Sequence, residues 1–318
     1  MLTWPAVLIL HLWAYGVIYF CSFPNNSTYR GILAIFYLLV VCVFVFLQKK
    51  KTKALGKSLL GFCIICIWFL TIQPNPNAVY PRHLKAPHAE FNGDNVTLHN
   101  VRYNRYRTTD DFDVFYETRT YDISKLQTVD LFVNYWGMEQ IAHTFVSFGF
   151  TDGRYLPVSI EIRPEVGEVY GMLDGLFKQY ELLYLWADER DVVLTRTNIR
   201  KEDAYLYRVN LKLENIRKLF ISMLNRTNSL YAKPEFYNTL FESCTNTIGD
   251  HVISEGIVDV PFWERKFLSG DVDKRMYDQG LLDKTVPFDT LRQNANINAR
   301  AVAADKDLDF SKKIRTHL

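Results

Sequence analysis

The first 75 residues contain three nearly uncharged apolar runs, at 5–23, 31–47 and 58–73. A helix needs roughly 17 to 25 residues to cross the hydrocarbon core of a membrane, and each run is close to that length. The first run lacks the basic start and the small-residue cleavage site of a signal peptide, so we expect a retained anchor. The pattern therefore predicts three N-terminal transmembrane helices within a membrane anchor over residues 1–75.

Charges in the two connecting loops predict the orientation of these helices. Lysine and arginine beside membrane helices concentrate on the cytoplasmic side. The first loop contains only Arg30, whereas the second contains lysines at positions 49, 50, 51, 53 and 57. The N-terminus is therefore predicted to be cytoplasmic. We expect a bacterial inner-membrane protein whose C-terminal domain is periplasmic.

The rest of the chain changes its pattern near residue 100. Residues 76–104 are rich in Pro and Asn and lack sustained periodicity, which predicts an extended connector. Residues 105–318 combine strand-like alternation, as at 141–150 and 154–163, with helical spacing. This predicts an α+β extracytoplasmic domain built on an antiparallel sheet.

Composition excludes several classes of function. The chain has 37 basic and 35 acidic residues, and no basic stripe suggests a nucleic-acid partner. It contains neither a glycine-rich phosphate loop nor Cys and His at the usual spacings for a metal site. No cofactor or metal is therefore predicted, and the oligomeric state stays open.

One cysteine differs from the other four. Cys21, Cys42, Cys63 and Cys66 lie within or at the ends of the apolar runs, where a thiol behaves as a small hydrophobe. Cys244 is alone in a domain expected to face an oxidising compartment, so it cannot form a disulfide within that domain. It is either a buried core residue or a functional thiol.

The residues around Cys244 favour a functional thiol. Polar residues precede it, and Ile248, Val252 and Ile253 follow at helical spacing, which predicts a helix that begins at Cys244. The N–H groups and dipole at a helix start stabilise a thiolate and can bind an oxyanion. Cys244 is therefore the predicted nucleophile.

A base is predicted from a neighbouring strand pattern. His143 alternates with apolar residues in the predicted strand 141–150, whereas His251 is about 10.5 Å from Cys244 along one helix and is too distant. His251 is expected to be an exposed or partly buried helix residue. Glu161 in the next predicted strand could orient the imidazole of His143 as the third member of a triad. The alternatives are a core histidine at 143 and a salt bridge of Glu161 with Arg163 or another surface partner.

Several segments around these residues resemble the Lnb-type lipoprotein N-acyltransferase domain family over roughly residues 105 to 315. They are 133–137 with 142–144, 159–163, 188–191, 236–238 with 243–245, and 267–270 with 279–282. The resemblance implies a permuted papain-like fold in which the histidine strand precedes the cysteine helix. It also implies an acyl-enzyme on Cys244, with an acyl chain taken from the diacylglyceryl group of a lipoprotein and passed to the amino group of its N-terminal cysteine.

The sequence thus predicts a membrane-anchored thiol acyltransferase or hydrolase with catalytic residues Cys244, His143 and Glu161, acting on a lipid or lipoprotein substrate. A cell-wall peptidase or amidase with the same Cys/His pair is the enzymatic alternative. A non-enzymatic binding module tethered to the membrane, in which Cys244 is simply buried, is the other.

Overall fold

A computed structural model describes residues 4–21, 27–47, 51–75, 79–168, 170–258 and 269–318. Contacts divide the chain into two compact units. The first unit contains Met1–Tyr80, Arg163–Glu181 and Glu235–Leu240. The second contains Pro81–Ile162, Leu182–Pro234 and Phe241–Leu318. Two short segments from the later half of the chain therefore belong to the unit of the N-terminal helices.

Three apolar helices form most of the first unit: α1 (Trp4–Cys21), α2 (Ser27–Leu47) and α3 (Lys51–Thr71). One helix, Lys53–Thr71, is both long and apolar enough to span a membrane, and Ala6–Cys21 and Thr28–Phe44 are shorter apolar helices. Three transmembrane helices are therefore not confirmed. The charge argument for their orientation rests partly on Lys49 and Lys50, which lie outside the described residues, as do 22–26 of the first loop.

A polar cluster joins the three helices. His11 of α1 makes hydrogen bonds to the hydroxyl groups of Tyr37 in α2 at 2.7 Å and Ser58 in α3 at 2.5 Å. Interhelical hydrogen bonds of this kind hold helices together where water is scarce. Ala14, Ala34 and Ala54 are fully buried, one in each helix. Both features indicate that the helices pack on one another as a bundle.

Residues Arg163–Glu181 pack against the ends of these helices. The ring of Phe177 stacks on Phe20 of α1, with ring centroids 4.9 Å apart. The ammonium group of Lys178 donates to the carbonyl groups of Phe69 and Ile72 at 2.8 and 3.2 Å, at the C-terminal end of α3. A lysine at this position satisfies carbonyls that a helix end leaves unpaired. These contacts explain why the segment belongs to the first unit.

A five-stranded sheet is the centre of the second unit. Its strands, in spatial order, are β10 (Asp203–Arg208), β6 (Leu126–Tyr135), β7 (Ala142–Phe150), β8 (Tyr155–Arg163) and β9 (Glu181–Trp186). The pairs β10·β6, β6·β7 and β7·β8 are antiparallel. Every residue of β7 is buried, because helices cover both faces of the sheet. The predicted α+β class with an antiparallel sheet is therefore confirmed.

Smaller sheets occupy part of the predicted connector. Strands β1 (His88–Asn92), β2 (Asn95–Arg102) and β5 (Tyr116–Asp122) form a three-stranded sheet, and β3 (Arg105–Tyr106) pairs with β4 (Phe112–Asp113). Val96 and Leu98 alternate along β2 and are fully buried. The Pro and Asn content concealed this short alternation. Residues 76–78 of the predicted connector lie outside the described residues.

The helices of the second unit lie on opposite faces of the central sheet. Helix α5 (Leu213–Ala232) packs beside α6 (Cys244–Ser254), and its Phe220 contacts Phe148 of β7 with ring centroids 4.9 Å apart. On the other face Phe145 stacks on Phe132 at 4.5 Å, and both belong to a core that includes residues of four short elements. Those are α4 (Glu189–Leu194), α9 (Asn298–Ala303), α10 (Phe310–Lys313) and β10. The other α-helices of this unit, within the described residues, are α7 (Val272–Asp278) and α8 (Phe288–Ala295).

A buried ion-pair cluster ties the end of the chain to the sheet. Arg315 donates to Asp130 of β6 at 2.7 Å and to Glu189 of α4 at 2.8 and 2.5 Å. Both carboxylates are almost completely buried. Removing one partner of such a pair leaves an uncompensated buried charge, which costs far more than the intact pair contributes.

Replacing Arg315 with Met is expected to lower the free energy of unfolding by about 3 to 5 kcal/mol, because Asp130 and Glu189 lose their shared cation. The measurement is denaturant unfolding of the full chain in detergent. Lys312→Met, at an exposed position in the same turn of chain, should change stability by less than about 0.5 kcal/mol. Equal stabilities for the two variants would show that the cluster is dispensable.

Candidate active site

Cys244 is the first residue of α6, as the sequence pattern predicts. Ser243 caps the helix, and its hydroxyl accepts a hydrogen bond from the Asn246 N–H at 3.3 Å. The N–H groups of the first helical turn have no intrahelical acceptor, so those of Cys244 and Thr245 can bind an anion. The thiol of Cys244 therefore lies beside a positive helix end.

His143 is in β7, opposite Asn134 of β6, and is buried. Helix α6 packs on β7, which brings the imidazole of His143 and the thiol of Cys244 close enough for each to shift the pKa of the other. The backbone N–H of Thr144 also points to the sulfur, at 3.4 Å. The structure therefore brings together two residues that are 101 positions apart, and their catalytic roles stay predictions.

The partners of the other ring nitrogen determine the tautomer of His143. Its Nε2 lies 2.7 Å from the hydroxyl of Ser159 and 3.3 Å from Oε1 of Glu161. Ser159 donates to Glu161 at 2.7 Å, since a carboxylate can only accept. The Ser159 oxygen must then accept from Nε2–H of His143. This leaves Nδ1 as the nitrogen that can take a proton from Cys244.

Arg196 completes this hydrogen-bonded chain. Its guanidinium donates to Glu161 at 3.1 Å and to Glu202 at 3.0 Å, and it is buried. Arg196 lies in a single π-helical turn, Thr195–Ile199, which follows α4 directly. Such turns are rare and occur often at functional sites. The sequence pattern assigns no role to Ser159 or Arg196. The role of Ser159 had one signal, its position two residues before Glu161 on the same strand face, and that of Arg196 had none.

The charged neighbours of Glu161 distinguish a salt bridge with Arg163 from a contact with His143. Arg163 pairs with Glu181 at 3.0 Å rather than with Glu161. Glu161 instead contacts His143 and Arg196. Its position beside the imidazole is compatible with the predicted orienting role, which stays a prediction.

The electrostatics of the site favour charge separation between the thiol and the imidazole. Burial raises the pKa of Cys244, but the charge and hydrogen bond of His143 overcome this and lower that pKa to about 6. Burial and Arg196 lower the pKa of His143, but Glu161 and Cys244 outweigh them and raise that pKa to about 9. Burial opposes ionisation of Glu161, yet His143 and Arg196 hold its pKa well below the usual range. At neutral pH the pair is therefore a thiolate and an imidazolium.

An apolar cavity of about 120 Å³ begins beside the thiol. Thr144 and Thr245 line its end near Cys244, and their hydroxyls make a hydrogen bond of 3.0 Å. The hydroxyl of Thr245 is 4.0 Å from the sulfur. The remaining wall is mainly apolar and comes from the sheet and from the helices that cover it, including Leu131, Ile248 and Met276. The cavity can therefore hold an apolar group next to the nucleophile.

His251 is unsuited to act as the base. Its ring nitrogens contact the hydroxyls of Tyr184 at 2.8 Å and Ser222 at 2.9 Å. Burial lowers its pKa to about 4. The expectation that it is exposed or partly buried is wrong, because it packs between α5 and β9 on the inner side of α6.

Comparison with protein families places these residues in a known domain. Residues 112–264, just under half of the chain, match the family model described as the Lnb N-terminal periplasmic domain. This match confirms the predicted resemblance to the Lnb family, and the matched segment contains His143, Glu161 and Cys244. The match and the membrane-length helix Lys53–Thr71 are consistent with a membrane-anchored protein that has a periplasmic domain. No curated protein and no solved structure matches the chain.

The charge state of the pair predicts how Cys244 reacts with iodoacetamide. Alkylation, measured by mass analysis of the Cys244 peptide, should rise as pH increases through about 6, since the thiolate is the reactive form. His143→Gln leaves the thiol buried, so its pKa should rise to about 9 or above and alkylation at pH 7 should slow by at least about 100-fold.

Glu161→Gln provides the matched control for this series. It removes the charge that stabilises the imidazolium but keeps an acceptor for Ser159, so its alkylation profile should lie between those of the wild type and His143→Gln. The ion-pair description fails if His143→Gln reacts at the wild-type rate at pH 7.

Proposed function

We propose that this protein is a membrane-anchored thiol acyltransferase or hydrolase that forms an acyl-enzyme on Cys244. The observation that carries the proposal is the contact between Cys244 at a helix start and an imidazole whose Nε2 is held by Ser159 and Glu161. A purely structural buried cysteine needs neither an ionised partner nor a fixed tautomer. The arrangement has the three parts of a thiol nucleophile site: nucleophile, base and orienting group.

In the first step the Cys244 thiolate attacks the carbonyl carbon of an ester, whose oxygen takes the negative charge. The Thr144 N–H points to the sulfur, and the N–H groups of Cys244 and Thr245 belong to the first turn of α6, so these three groups are the candidate donors to this oxyanion. Collapse of the intermediate breaks the ester C–O bond. The imidazolium of His143 gives its Nδ1 proton to the departing alcohol, and a thioester remains on Cys244.

In the second step an amine or a water molecule attacks the thioester, and His143 accepts a proton from this attacking group. The C–S bond breaks, and Cys244 leaves as a thiolate beside the newly formed imidazolium. An amine acceptor yields an amide and gives acyl transfer, whereas water yields a carboxylic acid and gives hydrolysis. Glu161 stays ionised throughout and stabilises each imidazolium state.

The apolar cavity favours lipid or lipoprotein acyl chains as substrates. A peptidase or amidase, the enzymatic alternative, needs a polar cleft that can bind peptide groups, whereas the wall beside Thr245 is mainly aliphatic. Lipoprotein N-acylation, which the family resemblance implies, requires an acyl group of this apolar kind. A non-enzymatic binding module gives no reason for the ionised Cys244 and His143.

The same proposal assigns α1, α2 and α3 to three crossings of a bacterial inner membrane, with the N-terminus cytoplasmic and the second unit periplasmic. The hydrogen bonds of His11 to the other two helices support a bundle in a low-water environment. In the same unit Val166, Met172 and Leu173 are exposed on the segment that packs against the helix ends. Exposed apolar side chains at that level suit a membrane interface.

The proposed fold is a permuted relative of papain-type enzymes. The order along the chain supports it, since the histidine strand β7 precedes the cysteine helix α6. The pairing of β7 with β8 brings Ser159 and Glu161 to the imidazole. The domain assignment of residues 105–318 as one catalytic domain follows from this proposal.

The direct test is acyl-protein mass analysis after the purified full chain is incubated with a diacylated lipoprotein or a phospholipid. We expect a fatty acyl adduct on Cys244 that is absent from Cys244→Ala. His143→Ala should form it at least about 100-fold more slowly, because general-base assistance is lost. If neither lipid is consumed and no adduct forms, lipid acyl transfer is wrong and peptide substrates become the next candidates.

Filling the cavity tests its role separately. Gly249 lines the cavity and has open space where a side chain would begin, so Gly249→Leu should place a side chain inside it. We expect transfer from long-chain donors to fall by about tenfold or more, with alkylation of Cys244 by iodoacetamide unchanged. Ser254→Leu, at an exposed position of the same helix, is the control. Equal long-chain activity in both variants would contradict an acyl-binding role.

A further inference from the structure

Strands β1 and β2 bring together three side chains that can bind a metal ion. His88 and His99 are directly opposite each other in this antiparallel pair, and Glu90 is two residues beyond His88 on the same face of β1. One atom from each of the two rings and from the carboxylate lie within 4.8 Å of one another. Within the described parts of the chain, no second group of three His, Cys, Asp or Glu residues is arranged in this way.

We propose that His88, Glu90 and His99 form a binding site for a divalent transition-metal ion, with Zn²⁺ as the probe of choice. Two imidazoles and one carboxylate are a donor set that zinc accepts, with water as a fourth ligand. The site lies outside the proposed active site and is independent of the reaction at Cys244.

The hydrogen bonds around the two rings leave ligating atoms unused. Nδ1 of His88 and Nε2 of His99 are shielded from solvent and make no hydrogen bond to the described residues. Nε2 of His99 is 3.4 Å from the carboxylate of Glu90. A buried polar atom without a hydrogen bond costs free energy, and a metal bond would remove that cost.

Neighbouring groups hold both rings in position. Nδ1 of His99 lies 3.2 Å from the hydroxyl of Thr118, so Nδ1–H can donate there and Nε2 keeps its lone pair. Metal-binding histidines usually have such a partner on their second nitrogen. Tyr231 stacks on His88 at 4.3 Å and limits its movement on one side.

The rings must rotate to bind one ion. The rings are stacked nearly in parallel, and the ligand atoms of the three residues lie within 4.8 Å of one another, whereas nitrogen ligands of a tetrahedral zinc, with bonds of about 2.0 to 2.1 Å, are roughly 3.3 Å apart. A displacement of this size is within the range of side-chain rotation. The bound ion would join β1 to β2 across the pair His88 and His99. The spacing of these residues along the chain gives no hint of this, since strand pairing alone brings position 99 to position 88.

The test is calorimetric titration of Zn²⁺ into the full chain in detergent, purified without a histidine tag. Cys244→Ala serves as the parent so that the thiol of the active site cannot bind the ion. We expect one equivalent to bind, with affinity reduced at least about tenfold by His88→Phe, which keeps the aromatic stack, and by His99→Gln. Glu90→Gln, at an exposed position, should also weaken binding, whereas Glu117→Gln on β5 of the same sheet should not.

A parent protein that binds no zinc would overturn the proposal. So would zinc binding that His88→Phe and Glu90→Gln leave unchanged, because the ion would then be held elsewhere. Circular dichroism of each variant shows whether a loss of binding comes from loss of fold; the exposed Glu90→Gln keeps the test decisive if a histidine variant does not fold.

Discussion

The candidate site depends on one packing contact, that of the N-terminal end of α6 against β7. Because Cys244 is the first residue of α6 and His143 the second residue of β7, this contact brings the thiol to the imidazole and to the Thr144 N–H. The same contact creates the cavity, whose end beside the thiol is lined by Thr144 and Thr245. A shift of α6 along β7 would separate Cys244 from His143 and would at the same time close the cavity.

The buried charges around the pair are arranged so that each has an opposite partner. Glu161 lies between His143 and Arg196, and Arg196 also pairs with Glu202. Burial alone would neutralise these groups, but their mutual attraction in a region poor in water keeps them ionised. The carboxylate of Glu161 is therefore a fixed negative charge beside the imidazole of His143. It stabilises the imidazolium without any movement of the protein.

The two units differ in the polarity of the surroundings that their side chains suit. In the first, His11 bonds to partners on the two neighbouring helices, and exposed apolar side chains are frequent. In the second, a sheet covered by helices on both faces encloses the ionised site and an apolar cavity. These two environments are those expected of a membrane-anchored protein with a periplasmic domain.

The sequence by itself determined the local elements. Alternation predicted the strand of His143, and helical spacing behind polar residues predicted the helix that begins at Cys244, since both patterns depend on near neighbours. Only the tertiary structure decided which distant side chains meet. Ser159 and Arg196 gained their roles from strand pairing and from a π-helical turn. Strand register likewise placed His99 opposite His88. Such contacts follow from packing between segments far apart in the chain, and no spacing along the sequence encodes them directly.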